Sequence, residues 1–393
     1  MVRVARYQQE VASTDLSLPR ATYIYSLITC APRATPYTFA PGGPLAAISS
    51  DDSLRFIDLA TLTPRVGFID EAHRSVTCLS RFDDEGNVVV TSGRDGYVRF
   101  WDRRICRRAT QIVTRNPPLP FSSVVASHSA NVVAAGVELQ SDGPGEADIL
   151  IWDPRYIHQD HPRAVAPPLR KFTDSHTDTI TSLVLDPLRP NILISGSTDG
   201  LVNVFDLNIP EEEDALFQVI NHGSAVHRTG LTPGPLDRKD IYVLGTDETA
   251  SFHALDGEEV VDMAPSSVVM GDFRSSLGCE YAVDIVAGYI AVGSHRDAQH
   301  LDLIPLSREL PGMPNVNAVT RLPGAHGEDI VRDIYIEGDT TFTCGEDGIV
   351  RAWRPAEAVA VKEERDAEFK SRRDRKKGGD VKIKKEGERF KPY

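Results

Sequence analysis

The feature that most constrains this chain is a short segment that comes back. SGRDGYVRFWDRR at residues 92–104 recurs as SGSTDGLVNVFDL at 195–207, as TCGEDGIVRAWR at 343–354 and, more loosely, as AISSDDSLRFIDL at 47–59. In each copy a β-rich run meets an Asp-centred tight turn and then a second run of alternating character, the pattern of a hairpin. An aromatic residue follows at fixed distance: Asp95 to Trp101, Asp199 to Phe205 and Asp347 to Trp353 are each six residues apart. All three tryptophans, Trp101, Trp152 and Trp353, hold this position, and a histidine stands upstream in EAHRSV (His73), DSHTDT (His176) and GAHGED (His326). Units of this kind bury their apolar faces only by stacking on one another. The 393 residues therefore read as one repeat array rather than the two or three domains that length alone allows.

These residues make the chain resemble the WD-repeat (WD40) β-propellers, whose repeat runs from a Gly-His-like pair to a Trp-Asp pair over about 40 to 45 residues in four strands. The resemblance implies a hydrogen-bonded tetrad of histidine, Ser/Thr, turn aspartate and tryptophan. Matched residue by residue, it gives His73, Thr91, Asp95 and Trp101 in one repeat and His326, Thr343, Asp347 and Trp353 in another. A third set, His176, Ser195, Asp199 and Phe205, lacks the indole donor, and a buried network with a missing member is expected to be looser.

Equivalent strand ends fall at Ile57, Trp101, Trp152, Phe205, His253, near Asp302 and at Trp353, which gives seven blades. The fold expected is all-β: a seven-bladed WD40 propeller over 1–358 and a disordered basic tail over 359–393. Two repeats are weak. YVLGTDETASFHAL (242–255) keeps the turn Asp247 but has His253 in place of tryptophan, and GYIAVGSHRDAQHLDLI (288–304) keeps only the alternation. Six blades with an irregular insert is the other count left open. The last repeat has no apolar strand after Trp353, so the outermost strand of the closing blade is expected from residues 2–14, since an open edge leaves backbone groups unpaired.

Charge divides the chain. Residues 361–393 hold 13 Lys and Arg against 8 Asp and Glu, leaving 30 basic and 49 acidic residues, or −19, in residues 1–360. The tail clusters KSRRDRKK (Lys370, Arg372, Arg373, Arg375, Lys376, Lys377) and KIKK (Lys382, Lys384, Lys385) read as a two-part nuclear or nucleolar address, with cytoplasm the second choice. RNA contact is expected through the tail alone, because nucleic-acid affinity rests on neutralising phosphates and the body is acidic. No apolar run reaches the roughly 18 residues that span a bilayer, and MVRVARYQQE lacks a signal-peptide core, so a soluble intracellular monomer is expected. Five scattered cysteines without a CxxC pair suit reduced thiols.

The sequence contains no GxSxG elbow, GxxxxGK[ST] loop or HExxH helix, and no enzymatic chemistry, cofactor or metal is expected. HQDH (158–161) offers two imidazoles and a carboxylate but reads as a solvated loop. A hydrolase working in a propeller's central channel would need carboxylates around a bound metal.

Interaction features are better marked. WDRR (101–104) and WDPR (152–155) fit WDxR, the box by which some WD-repeat substrate receptors dock on the adaptor of cullin-4 ubiquitin ligases, and would present Arg104 and Arg155 on the face of the third-to-fourth-strand loops. PEEEDAL (210–216) places Glu211, Glu212, Glu213 and Asp214 on a loop of that face, suited to a basic client such as a ribosomal-protein or histone segment. ELQSDGPGEAD (138–148) belongs on the opposite face and has no basic residue to cradle a phosphate. The reading is a non-enzymatic interaction scaffold for a basic protein, in the nucleus or nucleolus and in ribosome assembly; the alternative is a ligase substrate receptor.

Overall fold

The computed structural model describes residues 3–62, 64–114, 118–140, 145–157, 165–234, 238–256, 266–296, 299–307 and 312–356. Their strands fall into seven units of four, which we number as blades: 24–69, 76–113, 121–172, 180–221, 226–272, 281–323, and 331–355 completed by Val4–Thr14. Within each blade successive strands pair antiparallel, and the innermost strands of neighbouring blades lie side by side around a central channel, the last against the first.

Apolar packing follows the same count. The buried aliphatic and aromatic residues separate into seven clusters, each lying between two adjacent blades; Ile24, Leu45 and Ile57 of the first blade, for example, pack on Phe342, Cys344 and Ala352 of the last. No blade covers both of its own faces, so the ring is the smallest unit that buries them all.

The weak fifth and sixth repeats are complete blades. Their third strands, Thr249–Ala254 and His300–Pro305, keep the apolar alternation that packing needs, and no irregular insert replaces a blade among the described residues. At the Asp-centred turns, Gly96, Gly200 and Gly348 have φ of +75°, +86° and +71°, which a side chain would strain.

Closure uses one strand twice. Gln8–Thr14 pairs antiparallel with Val350–Pro355 as the outer strand of blade 7, while Val4–Tyr7 pairs parallel with Val319–Arg321 on the outer edge of blade 6. The N-terminal strand thus ties the sixth blade to the seventh as well as the first end of the chain to the last.

Polar contacts link the blades around the channel. The second residue of an innermost strand donates its hydroxyl to the first carbonyl of the next: Thr77 to Phe121 (2.8 Å), Ser122 to Ile180 (2.6 Å) and Thr181 to Val226 (2.7 Å). Blades 5 to 7 use charge instead. Arg228 donates to Asp284 (2.7 Å) and Asp333 (3.2 Å), and Asp333 accepts from the Ser26 hydroxyl and the Leu27 N–H of blade 1 at 2.9 and 2.8 Å.

One mouth of the channel carries a hairpin, Arg33–Thr35 and Thr38–Phe39, inserted between the first two strands of blade 1. Arg33 and Arg81 both lie against the Phe39 ring, Arg33 bonds Asp84 of blade 2 at 2.8 Å, and the Gly42 N–H reaches Glu337 of blade 7 at 3.0 Å. Tyr37 at its tip bonds Lys239 of blade 5, which is itself 2.9 Å from Asp186 of blade 4. The hairpin therefore spans the mouth, over a cavity of about 990 Å³.

Candidate functional site

Two of the three polar tetrads are complete hydrogen-bonded chains. The Trp101 indole N–H donates to the Thr91 hydroxyl (2.8 Å), which lies 2.7 Å from His73 Nε2, and His73 Nδ1 lies 2.8 Å from Asp95. Trp353, Thr343, His326 and Asp347 repeat this at 2.9, 2.8 and 2.7 Å. For a neutral imidazole the consistent proton assignment runs from indole to hydroxyl to Nε2, leaving Nδ1–H for the carboxylate. Burial drives the His73 pKa down despite Asp95; for Asp95 burial acts upward, but the His73 hydrogen bond and charge, with Arg99, hold its pKa below the usual value. Gly93 makes room for this imidazole, since a Cβ there would sit 2.7 Å from its Nδ1.

The third set is not looser. His176 lies 2.7 Å from Ser195 and 3.0 Å from Asp199, distances like those of the complete tetrads. Asn203 supplies the missing donor: its amide nitrogen lies 3.2 Å from His176 Nε2 and 2.6 Å from the Ser175 carbonyl, while Phe205 stacks on Phe172 with centroids 4.8 Å apart. Asn203 stands four residues after the turn aspartate, a position the sequence reading passed over. The equivalent residues Arg99 and Arg351 each bond their own aspartate, at 2.9 and 2.8 Å. A signal was present, a polar residue two before the aromatic in each of the three tetrad repeats.

Blade 5 builds a different network at the same place. His253 Nε2 lies 2.9 Å from the Ser251 hydroxyl, which lies 2.8 Å from His222 Nδ1; His222 Nε2 lies 2.8 Å from the Thr249 hydroxyl, which donates to Asp247 at 2.8 Å. Since Asp247 only accepts, every proton in the chain points toward it. His222, Thr249 and Ser251 were not identifiable from the repeat because the network moves from the second strand to the third. Among the described residues no group of three His, Cys, Asp or Glu is placed to hold a metal ion.

Arg104 and Arg155 are both exposed, at 61% and 62%, and each is bound to the aspartate two residues earlier: Arg104 to Asp102 through Nε (3.0 Å) and an amino nitrogen (2.6 Å), Arg155 to Asp153 at 3.0 and 2.6 Å. Arg274 and Asp272 make the same pair without a preceding tryptophan, so the pairing is a local consequence of Asp-x-Arg at a strand end. Ile105 and Tyr156, 62% and 71% exposed, stand beside the two arginines.

The acidic stretch does not stand out as four equivalent carboxylates. Glu212–Ala215 forms one helical turn folded back on blade 3, where the Glu212 carboxylate accepts from the backbone N–H groups of Thr173 (2.6 Å), Asp174 (3.0 Å) and Ser175 (2.9 Å). Glu212 is therefore consumed internally, while Glu211, Glu213 and Asp214 remain exposed. A second acidic group lies where the chain enters blade 7: Glu328 and Asp329 are exposed and Glu346 and Asp347 half-buried beside them. Burial raises the Asp329 pKa, and Asp347, Glu346 and Glu328 add to the rise.

In the 138–148 loop, Glu138 makes a bidentate pair with Arg94 (2.6 and 2.9 Å) and Asp148 lies 3.0 Å from Lys171; its residues 141–144 lie outside the described residues. So do HQDH and every tail residue from Lys370 to Lys385. No helix among the described residues is long and apolar enough to cross a membrane.

The family model "WD domain, G-beta repeat" matches residues 66–102 and 167–206, each the outer strand of one blade plus three strands of the next. The chain is 33% identical over 310 residues to an uncharacterized WD repeat-containing protein of Saccharomyces cerevisiae, covering 77% of this chain and 74% of that one. It is 22% identical over 320 residues to the WD repeat-containing protein 89 homolog of Dictyostelium discoideum, covering 79% of each. Its fold is similar to the β-propeller domain of Cps50 (Swd1) of Myceliophteria thermophila, with a TM-score of 0.59 at 14% identity, over 88% of this chain and 99% of that one. The motif spacing, the ring of four-stranded blades and the extent of the match to the yeast relative place the chain in the WD-repeat family of β-propeller proteins.

Proposed function

We propose that the chain is a non-enzymatic scaffold that holds a basic segment of a client protein on the acidic side of its ring. The observation that carries this is the exposed pair Glu328 and Asp329 where the chain enters blade 7, beside Glu346 and Asp347, which are paired with Arg332 and with His326 and Arg351, on a body with a formal charge of −19 over residues 1–360. Burial and the neighbouring carboxylates raise the pKa of Asp329, and the negative potential that gathers there attracts and orients a cationic peptide. The setting proposed is the nucleus or nucleolus during ribosome assembly, where basic clients are abundant, with Lys370–Lys385 as the address.

The test is titration of the full chain with a fluorescent lysine-rich peptide. Binding is expected to weaken with added salt and to fall by an order of magnitude or more in Glu328→Lys/Asp329→Lys/Glu346→Lys, at unchanged melting temperature. Equal binding by the variant overturns the reading. Alanine at the six basic residues of 370–377 is expected to move the protein to the cytoplasm.

A second reading has its own observation, the exposed Arg104 and Arg155, each held by its own aspartate and followed by an exposed Ile105 or Tyr156. Under it the chain is a substrate receptor of a cullin-4 ligase. Arg104→Ala/Arg155→Ala would then abolish copurification of the ligase adaptor without lowering stability, and unchanged copurification removes it.

A further inference from the structure

Outer strands are the exposed edges of a propeller, and most of those here carry protection. The outer strand of blade 2 begins with Arg107 and Arg108, and that of blade 3, Arg170–Phe172, has three residues of which two are basic. Val4–Tyr7, which includes Arg6, covers the edge of blade 6, and the closing strand of blade 7, Gln8–Thr14, includes Glu10. Prolines and charges, shortness or covering are the usual defences of such an edge.

Blade 4 lacks them. Its outer strand, Leu216–Asn221 with sequence LFQVIN, has no charged residue. Leu216, Gln218 and Ile220 are half-buried or buried, Gln218 bonding Ala254 and Asp256 of blade 5 at 2.8 and 3.0 Å. Phe217 and Val219 point the other way and are 39% and 55% exposed. Among the described residues the strand pairs on one side only, with Leu201–Asp206. The exposed acids Glu211, Glu213 and Asp214 lie immediately before it. The edge of blade 5, Ser267–Asp272, is its nearest rival, but its terminal charge is neutralised by Arg274, and its nearest preceding acid, Asp262, stands five residues before it, whereas Asp214 and Glu213 stand two and three residues before the blade 4 strand.

The chain itself contains a segment of matching chemistry. DVKIKK at 380–385 alternates Val381 and Ile383 with Lys382 and Lys384, so that an extended backbone there would present the two apolar residues on one side and the two lysines on the other, and it lies in the +5 stretch 361–393. From Ala356 to Val381 the chain can extend about 80 Å at about 3.3 Å per residue, against a radius of gyration of about 20 Å for a compact unit of this size. Any edge of the ring is within reach, and charge selects among them: the arginine-bearing edges of blades 2 and 3 repel the segment, while that of blade 4 attracts it.

We infer that residues 380–385 dock on the outer edge of blade 4 as an added strand, with Val381 and Ile383 against Phe217 and Val219 and the lysines beside Glu211, Glu213 and Asp214. Strand addition supplies backbone hydrogen bonds to an unpaired edge, and the alternating side chains set the register. Docking also covers Lys382, Lys384 and Lys385, so anything that displaces the segment uncovers them. This goes beyond the client reading and stands or falls separately from it.

The test places a photo-crosslinking residue in the full chain, Lys382→benzoylphenylalanine, with hydrogen exchange on the unlabelled protein in parallel. Crosslinks are expected within one chain, to residues 211–221, and amide exchange over 216–221 is expected to quicken at least tenfold in Val381→Pro/Ile383→Pro while the innermost strands exchange as before. These prolines lie beyond the last blade strand, which ends at Pro355, so the ring provides its own control. Crosslinks to 267–272 or elsewhere, crosslinks only between molecules, or exchange over 216–221 unaffected by the prolines would each overturn the assignment.

Discussion

Thr91 and Ser195 occupy the same place in two blades and are expected to differ in what they hold. Both are fully buried. The Thr91 hydroxyl joins two groups that have no other partner there, accepting from Trp101 Nε1 at 2.8 Å and meeting His73 Nε2 at 2.7 Å. Thr91→Val keeps the shape and removes the oxygen, leaving a buried indole N–H and a buried imidazole nitrogen unpaired. At about 1–3 kcal/mol for each orphaned group, the cost is about 3–4 kcal/mol. Ser195 joins only one such group, because Phe205 has no donor, and His176 Nε2 retains the Asn203 amide at 3.2 Å. Ser195→Ala therefore loses little more than one net hydrogen bond, about 1 kcal/mol.

With an unfolding entropy of about 2.1 cal/mol/K per residue, a ring of roughly 350 residues shifts its melting temperature by about 1.4 °C per kcal/mol. Thr91→Val is expected to lower it by about 4–6 °C and Ser195→Ala by about 1–2 °C, measured by calorimetry at one scan rate because large rings can unfold irreversibly. Equal shifts, or a larger one for Ser195→Ala, would refute the network argument. The double variant Ser195→Ala/Asn203→Leu, which strips both donors from His176, should approach the Thr91→Val cost.

Other outcomes follow from the same contacts. His73, His222 and His253 have pKa values lowered first by burial, so the folded state binds protons less readily than the unfolded chain; stability should fall as pH drops below about 6.5, and again below about 4 as Asp95, Asp199 and Asp347, whose values are held down by their histidines, become protonated. A melting temperature flat from pH 7 to 3 would contradict this. Ala12→Pro interrupts the closing strand opposite Ala352 and should speed proteolysis between blades 6 and 7 while the blade 2–3 junction stays resistant. Burial pushes the Cys30 and Cys279 thiols up to about 12, and Cys344 is fully buried, so a thiol reagent should modify the half-buried Cys106 first and reach these three only on unfolding.

The sequence carried the ring because ring packing repeats its demands. Every blade needs an apolar third strand to fill two inter-blade clusters, and Ile57, Phe205 and Trp353 announce that strand even where the rest of the motif drifts. The fifth blade loses tryptophan and keeps Phe252, Ala250 and Leu244, which pack on blade 6; packing constrains those residues, whereas hydrogen bonding can be met in several ways. His253 with Ser251 is one such way and Asn203 another, so polar members of the network are the least legible from a repeat. The mouth hairpin was illegible for the opposite reason. Arg33, Tyr37 and Phe39 recur nowhere, and the partners of Arg33, Tyr37 and the Gly42 N–H, which are Asp84, Lys239 and Glu337, come from three other blades.

That hairpin bears on where a client can bind. Propeller function rests on loops at the two faces and on the channel between them. One mouth is spanned by residues anchored to blades 2, 5 and 7, so a segment entering the channel from that side must first break the Arg33–Asp84 pair and lift Phe39 from between two guanidinium groups. The opposite face, with Glu328, Asp329 and Glu346, has no such strap among the described residues. If the hairpin acts as a plug, Arg33→Ala/Phe39→Ala should leave lysine-rich peptide affinity within about twofold and increase hydrogen exchange in the channel-facing strand ends at Ile28, Ser80 and Val125, which line the cavity beneath it or adjoin it. A tenfold loss of peptide affinity would place the binding surface at the plugged mouth instead, and would move the functional assignment from the acidic entry of blade 7 to the hairpin.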